Sequence, residues 1–382
     1  MSIDSISIVQ RGNLQTLEKT LRKQWRLGQN IVLCWCWDQR GLLVILVPHY
    51  FLGNYSASGE ATPGIQTNEA FVQDLVSGVR RKSRDQLFAV AGRLGVSPTF
   101  IKLDQPLEES YVVMDSVEEI IRRYGLSFVD RRGVILFDIS NFSLFSSFEQ
   151  ASQLNSLSYS LNSAYNKLAG IGIEVNFART TTGDGYYVWN RDMHPRADQD
   201  LLIFFLLVVM DNALARAASR GNTVPEIRAA YHIGSHYELY QAEGVNPTVF
   251  SYIVGDVTIE LSRIVDQARP GQLLLGDFAN LAADPHACDR FLNACLSSAN
   301  FLEGMSLTGK PLKRLDSWVT RTDEGDADAL PLVVGVTDKH GLEHRAFNLR
   351  ARVQWEENEL SVGLDSSGLE ALPRATHGGG SR

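Results

Sequence analysis

The stretch Gly133-Val134-Ile135-Leu136-Phe137-Asp138-Ile139-Ser140-Asn141-Phe142-Ser143 decides the reading of this chain. Its apolar run reads as a strand that delivers one carboxylate at its end before the chain turns into a helix. A strand-end carboxylate is rigidly held and open on one side, which suits a hard cation. A turn or helix cap uses the same residue type more often. By itself the stretch leaves both roles open.

Further along, Arg179-Thr180-Thr181-Thr182-Gly183-Asp184-Gly185-Tyr186-Tyr187-Val188-Trp189 reads as a β-hairpin. Gly183-Asp184-Gly185 makes the tight turn, and β-branched and aromatic residues fill both arms. Arg228–Glu238 reads as a strand broken at Gly234. Gly255-Asp256 leads into a helix over Val257–Arg263. Pro270-Gly271 then turns the chain into the strand Leu273–Leu275. The run Leu201–Met210 is apolar all round and reads as a buried helix. It is about half the ~20 residues that a bilayer span needs, so no membrane span is expected.

Taken in order, these elements resemble the class III adenylate/guanylate cyclase family. The Phe-Asp-Ile strand end, the Thr-x-Gly-Asp-Gly hairpin and the Ser262-Arg263-Ile264…Ala268-Arg269-Pro270-Gly271-Gln272 tail carry the likeness. It implies an α/β fold of ferredoxin-like type, with an antiparallel sheet and helices. It also implies a homodimer whose sites lie at the interface, and two Mg2+ or Mn2+ ions. By that resemblance Asp138, Asp184 and the carbonyl of Ile139 hold metal. Ser140, Asn141 and Phe142, opening a helix, meet phosphate. Arg263 acts across the dimer on charge developing at the α-phosphate.

The chain departs from the family where the base is read. Thr180, beside Arg179, stands where adenylate cyclases carry Lys and guanylate cyclases Glu, and Tyr252 stands where Asp is common. Ile259 replaces the Asn that precedes the catalytic Arg. A bulky Tyr252 shrinks the base pocket, and Arg179 or Thr180 can donate to a base carbonyl. The chain is therefore similar to the bacterial pyrimidine cyclases of Pycsar antiphage systems. That implies a substrate of UTP, then CTP, a product of cyclic UMP or cyclic CMP, and coupling to a cyclic-nucleotide-sensing effector. A purine cyclase with atypical base contacts, and a non-catalytic nucleotide-binding regulatory protein, are the alternatives.

Around this domain, placed at residues 128–320, the chain divides into further parts. Residues 1–112 read as an N-terminal α+β domain. It starts with a short strand and a helix, followed by a hairpin over Ile31–Val47, a loop over Pro48–Pro63, and helices at Glu69–Val79 and Arg84–Leu94. Residues 113–127 read as a connector helix, 331–365 as a small C-terminal β unit, and 366–382 as a Gly- and Ser-rich disordered tail.

The chain has 382 residues, 44% hydrophobic and 21% charged, with a formal net charge of −8. That balance argues for a soluble protein and against a general basic grip on nucleic acid. The polar N-terminus shows no signal peptide. The sparse cysteines fit a reducing cytoplasm, with Cys34 and Cys36 in a buried strand rather than a metal site. His232 and His236, four apart on an extended strand, stand too far apart to share a metal.

Overall fold

In chain order the first elements are α1 (Ile8–Trp25), β1 (Asn30–Asp38), β2 (Gly41–Pro48), α2 (Phe51–Ala57), α3 (Asn68–Val76), α4 (Arg84–Leu94), β3 (Thr99–Lys102) and α5 (Tyr111–Arg122). There follow β4 (Leu126–Ile139), α6 (Ser147–Ala169), β5 (Phe177–Thr181), β6 (Gly185–Asn190), α7 (Ala197–Ala218), β7 (Ile227–Ala242), β8 (Val249–Val254), α8 (Asp256–Asp266) and β9 (Leu273–Gly276). The last are α9 (Ala287–Leu296), β10 (Ser306–Leu307), β11 (Lys310–Pro311), β12 (Arg314–Val319), β13 (Val333–Thr337), β14 (Glu343–Trp355) and β15 (Asn358–Val362). This computed structural model describes residues 6–26, 28–58, 66–242, 249–278, 281, 284, 286–297, 305–307, 309–323, 326, 329–338 and 340–365. The expected tail at 366–382, and most of the expected N-terminal strand, lie outside them.

The chain forms two units, Met1–Asp130 with His236–Val254, and Arg131–Ser235 with Gly255–Arg382. In the first, β1, β2 and β3 make an antiparallel sheet whose hairpin turns between Asp38 and Gly41. Gly41 is required there, because a Cβ would lie 1.9 Å from the Ile101 carbonyl oxygen. The strand period sorts the core. Val32 and Trp35 face α1 and α5, while Cys34 and Cys36 face α2, α3 and α4. A register shift between Val32 and Cys34 reconciles the two sets.

Two expectations change in this unit. Helix α2 occupies part of the stretch read as a loop. The expected connector is a core helix: Val117 and Ile121 of α5 are fully buried. The Glu118 carboxylate accepts from Trp35 Nε1 at 2.6 Å and from the Arg80 amide at 2.8 Å. The buried Arg80 in turn donates Nη1 to the Val32 carbonyl at 2.6 Å.

In the second unit β4, α6, β5, β6, α7 and β7 follow one another as βαββαβ, and the sheet order is β7-β4-β6-β5. Numbered within the motif, that order is fourth, first, third, second, the ferredoxin-like arrangement expected from sequence. The pairs β4–β6 and β5–β6 are antiparallel. Helix α7 is apolar and long enough to cross a membrane by composition, yet Leu201–Met210 are all buried among β4, β6, β7, β9 and α6. Strand β9 runs parallel to β7, and β14 pairs antiparallel with β9. Strands β12, β13 and β15 pair in turn with β14. The C-terminal strands thus extend this sheet, where a separate β unit was expected. Their apolar positions, Phe347, Leu349, Ala351 and Val353, join the same core.

Candidate active site

The end of β4 is held on both sides. Asp138 stands opposite Gly185, the Ile139 amide donates to the Asp184 carbonyl at 2.9 Å, and the Ser140 amide donates to the Glu226 carbonyl at 2.9 Å. Gly185 must be glycine, since a Cβ would sit 1.9 Å from the Phe137 carbonyl oxygen. Gly183 takes a left-handed conformation (φ 103°) that lets the turn close. Thr182 Oγ1 donates to Asp184 Oδ1 at 3.2 Å. The structure therefore brings Asp138, Ile139, Ser140 and Asp184 to one sheet end.

Burial and a neighbouring cation act on Asp138 in opposite directions. Burial pushes the Asp138 carboxyl above its ordinary range, Arg228 pulls it back, and the charges of Asp184 and Asp266 push it up again. Arg228, at the start of β7, was read from sequence only as the beginning of a strand. Its Nε donates to Asp138 Oδ2 at 2.6 Å, and its Nη1 donates to the carbonyls of Asp266 at 3.3 Å and Ala268 at 3.0 Å. A charged residue just ahead of the apolar Ala229-Ala230-Tyr231 was the available signal.

The residues present fit divalent ions that arrive with a phosphate substrate. Among the described residues no group of three His, Cys, Asp or Glu side chains could form a metal cage. Magnesium does not need one, because it keeps waters and takes one or two carboxylates together with substrate phosphates. Arg228 occupies one oxygen of Asp138 and leaves the other, while the buried hydroxyl of Ser140 has no hydrogen-bond partner.

Other expected site residues fall differently. The chain after Ile139 does not open the long helix. Asn141 is left-handed (φ 57°), Phe142–Leu144 form a single 3-10 turn, and α6 starts only after a Ser146/Glu149 capping box. Ser140–Phe142 therefore lie in a short turn where a helix start was expected, and the Ser140 amide already donates to the Glu226 carbonyl. Arg179 and Thr180 face opposite sides of β5, as successive strand residues do. Arg179 Nη1 donates to Ser158 Oγ at 2.9 Å, and its guanidinium lies over the Tyr186 ring. Arg179 thus reaches α6 through one guanidinium nitrogen. Tyr252, on β8 in the first unit, lines a cleft there with Trp25, Arg26, His49 and Tyr240. Arg263 lies on α8 with its side chain 35% exposed, and Ile259 one turn earlier is 52% exposed. Neither cysteines nor histidines form a metal site among the described residues, and Cys34 and Cys36 are buried in β1.

No family model matches the chain, and no curated protein matches it. Among solved structures it is similar to the guanylate cyclase domain of RhGC from Catenaria anguillulae in complex with GTP, at 13% identity and TM-score 0.37, over 60% of this chain and 100% of that one. It is also similar to the adenylyl cyclase CyaB from P. aeruginosa, at 13% identity and TM-score 0.31, over 62% of this chain and 98% of that one. A third is the guanylyl cyclase Cya2, at 13% identity and TM-score 0.35, over 58% and 92%. Likeness at this level decides nothing about activity; the fold rests on the strand order.

Proposed function

We propose that the second unit is the catalytic domain of a nucleotidyl cyclase, converting a nucleoside triphosphate to a 3′,5′-cyclic mononucleotide and pyrophosphate. The observation that carries this reading is the carboxylate pair at one sheet end: Asp138 at the β4 terminus and Asp184 in the adjoining turn, locked by the Ile139–Asp184 backbone bond. Two Mg2+ or Mn2+ ions held by Asp138, Asp184 and the Ile139 carbonyl would activate the 3′-hydroxyl and neutralise phosphate charge. Arg228 offsets part of the cost that burial imposes on the Asp138 carboxylate, and its guanidinium is a ready partner for a phosphate oxygen. The Ser140 hydroxyl and the amides of Asn141 and Phe142 offer further donors to the triphosphate. Arg263 supplies positive charge to the α-phosphate as pyrophosphate departs. Arg263 would come from the second copy of a homodimer.

The base is proposed to be a pyrimidine, because Thr180 stands where a charged residue reads the purine. A preference for UTP over CTP rests on Arg179, which can donate to a base carbonyl and already donates Nη1 to Ser158 Oγ at 2.9 Å. The product would serve in the cytoplasm as a messenger to a cyclic-nucleotide-sensing effector in Pycsar-type antiphage defence. Incubation with each of the four triphosphates and Mn2+ or Mg2+, with product separated by chromatography, tests both levels. Cyclic product from ATP or GTP alone would sink the pyrimidine assignment, and none from any triphosphate would sink the cyclase reading. The exposed Ile259 favours a second reading, a cyclase fold that binds nucleotide without turnover; there Asp138→Ala would leave cellular function intact.

A further inference from the structure

We infer that Asp338 and His344, supplied by the C-terminal strands, are positioning residues for Arg263, an assignment that rests on the cyclase reading of that arginine. The turn between β13 and β14 lies against α8. Asp338 Oδ1 accepts from the amides of His340 at 2.8 Å and Leu342 at 3.0 Å, which ties down the turn itself. Its other oxygen, Oδ2, is 3.9 Å from Arg263 Nε and 3.4 Å from His344 Nε2. The opposite ring nitrogen of His344, Nδ1, is 2.9 Å from Glu260 Oε2. Glu260 and Arg263 are neighbours on one face of α8, so the turn and the histidine engage that face at two points.

The contact aims the arginine and does not block it. Nε is the guanidinium nitrogen nearest Asp338, so the two terminal amino groups lie farther away. They are the pair that makes a fork to a phosphate. Asp338 and His344 are themselves almost fully covered, with side-chain exposures of 5% and 2%, whereas Arg263 keeps 35%. Anchoring one edge of a long flexible side chain removes rotamers and leaves the reactive edge presented to solvent. Helix α8 is fastened separately, by the Tyr187 hydroxyl donating to the Thr258 carbonyl at 2.9 Å. Losing Asp338 would therefore free Arg263 without freeing the helix.

An interaction that matters only as charge develops affects kcat more than substrate binding. Asp338→Asn keeps an oxygen for the turn amides and loses the charge facing Arg263. With the full-length dimer, it should lower kcat by about 10- to 100-fold and leave KM for the triphosphate within about twofold. Asp338→Glu should recover part of kcat. In an Arg263→Ala background, Asp338→Asn should change nothing further. Phenylglyoxal labelling of Arg263, read by peptide mass spectrometry, should be faster in Asp338→Asn than in the wild type. An active wild type with unchanged kcat in Asp338→Asn, or unchanged labelling of Arg263, overturns the inference. If the wild type forms no cyclic product from any triphosphate, the cyclase reading falls, and the labelling alone decides whether Asp338 holds Arg263.

Discussion

Arg228 Nε donates to Asp138 Oδ2 at 2.6 Å, so the carboxylate expected to bind metal is already paired with a cation from the neighbouring strand. Side-chain exposures of 25% for Arg228 and 13% for Asp138 leave the pair partly covered. Removing Arg228 strands a half-desolvated charge, whereas removing the carboxylate does not leave a buried anion. Arg228→Leu is expected to lower the unfolding free energy by about 1–3 kcal/mol, short of a fully buried pair because Arg228 is part exposed. Urea unfolding of the metal-free protein should show it, and the Asp138→Asn, Arg228→Leu double variant should be more stable than Arg228→Leu alone.

The proposed composite sites make a mixing experiment decisive. Asp138→Asn and Arg263→Ala should each reduce product formation by about 100-fold or more. Mixed and allowed to exchange subunits, they should recover about one quarter of wild-type activity, since half the dimers are hybrids with one intact site of two. No recovery despite proven exchange would place Asp138 and Arg263 in the same protomer's site.

The hairpin turn admits no side chain at Gly185, where a Cβ would meet the Phe137 carbonyl oxygen. Gly185→Ala must push β6 away from β4 at the step that carries Asp138 and Asp184. A loss of about 1–3 kcal/mol in stability, together with weaker Mn2+ binding by calorimetry, is the expected result. Wild-type Mn2+ affinity in this variant would show that the turn does not set the carboxylate pair.

His232 is buried on β7, and burial lowers its pKa from 6.5 to about 4. The folded state keeps the ring neutral while the unfolded chain protonates it. The unfolded state therefore binds more protons below 6.5, and stability falls as pH drops from there toward 4. The contribution reaches on the order of 3 kcal/mol at the acid end. Thermal unfolding from pH 7.5 to 4.5 should show a shallower acid decline in His232→Gln than in the wild type, and identical slopes would refute it.

All four cysteines are free and buried, and burial pushes the thiols of Cys34, Cys288 and Cys295 up to about 12. A native-state titration with a disulfide reagent should find these thiols unreactive within the assay time, with reaction on addition of denaturant.

Local chemistry accounts for what could be read from residues alone. The apolar run ending at Asp138 and the Gly183-Asp184-Gly185 turn are each written within a few neighbours. The hairpin across Asp38–Gly41 and the helix Arg84–Leu94 appear where periodicity and turn residues put them. The misreadings share a cause. A Gly- and Ser-containing stretch hid α2, and the amphipathic α5 looked like a connector because nothing local says that Glu118 caps Trp35 and Arg80. Strands β13 to β15 resembled an independent unit because a strand's own sequence does not name its partner.

Sequence by itself determined that two carboxylates would stand at a strand end and in a hairpin turn, because both depend on short-range geometry. It also determined that Leu201–Met210 would be buried, because a helix apolar on every face has no side to give to water. Only the tertiary structure decided that Asp138 is met by Arg228, 90 residues away, and that Arg263 faces Asp338. Side chains so distant in sequence meet only after the sheet takes its order β7-β4-β6-β5, with β9 and β14 added beyond β7. Until then any of several arginines could serve either carboxylate, and burial is what makes each choice count.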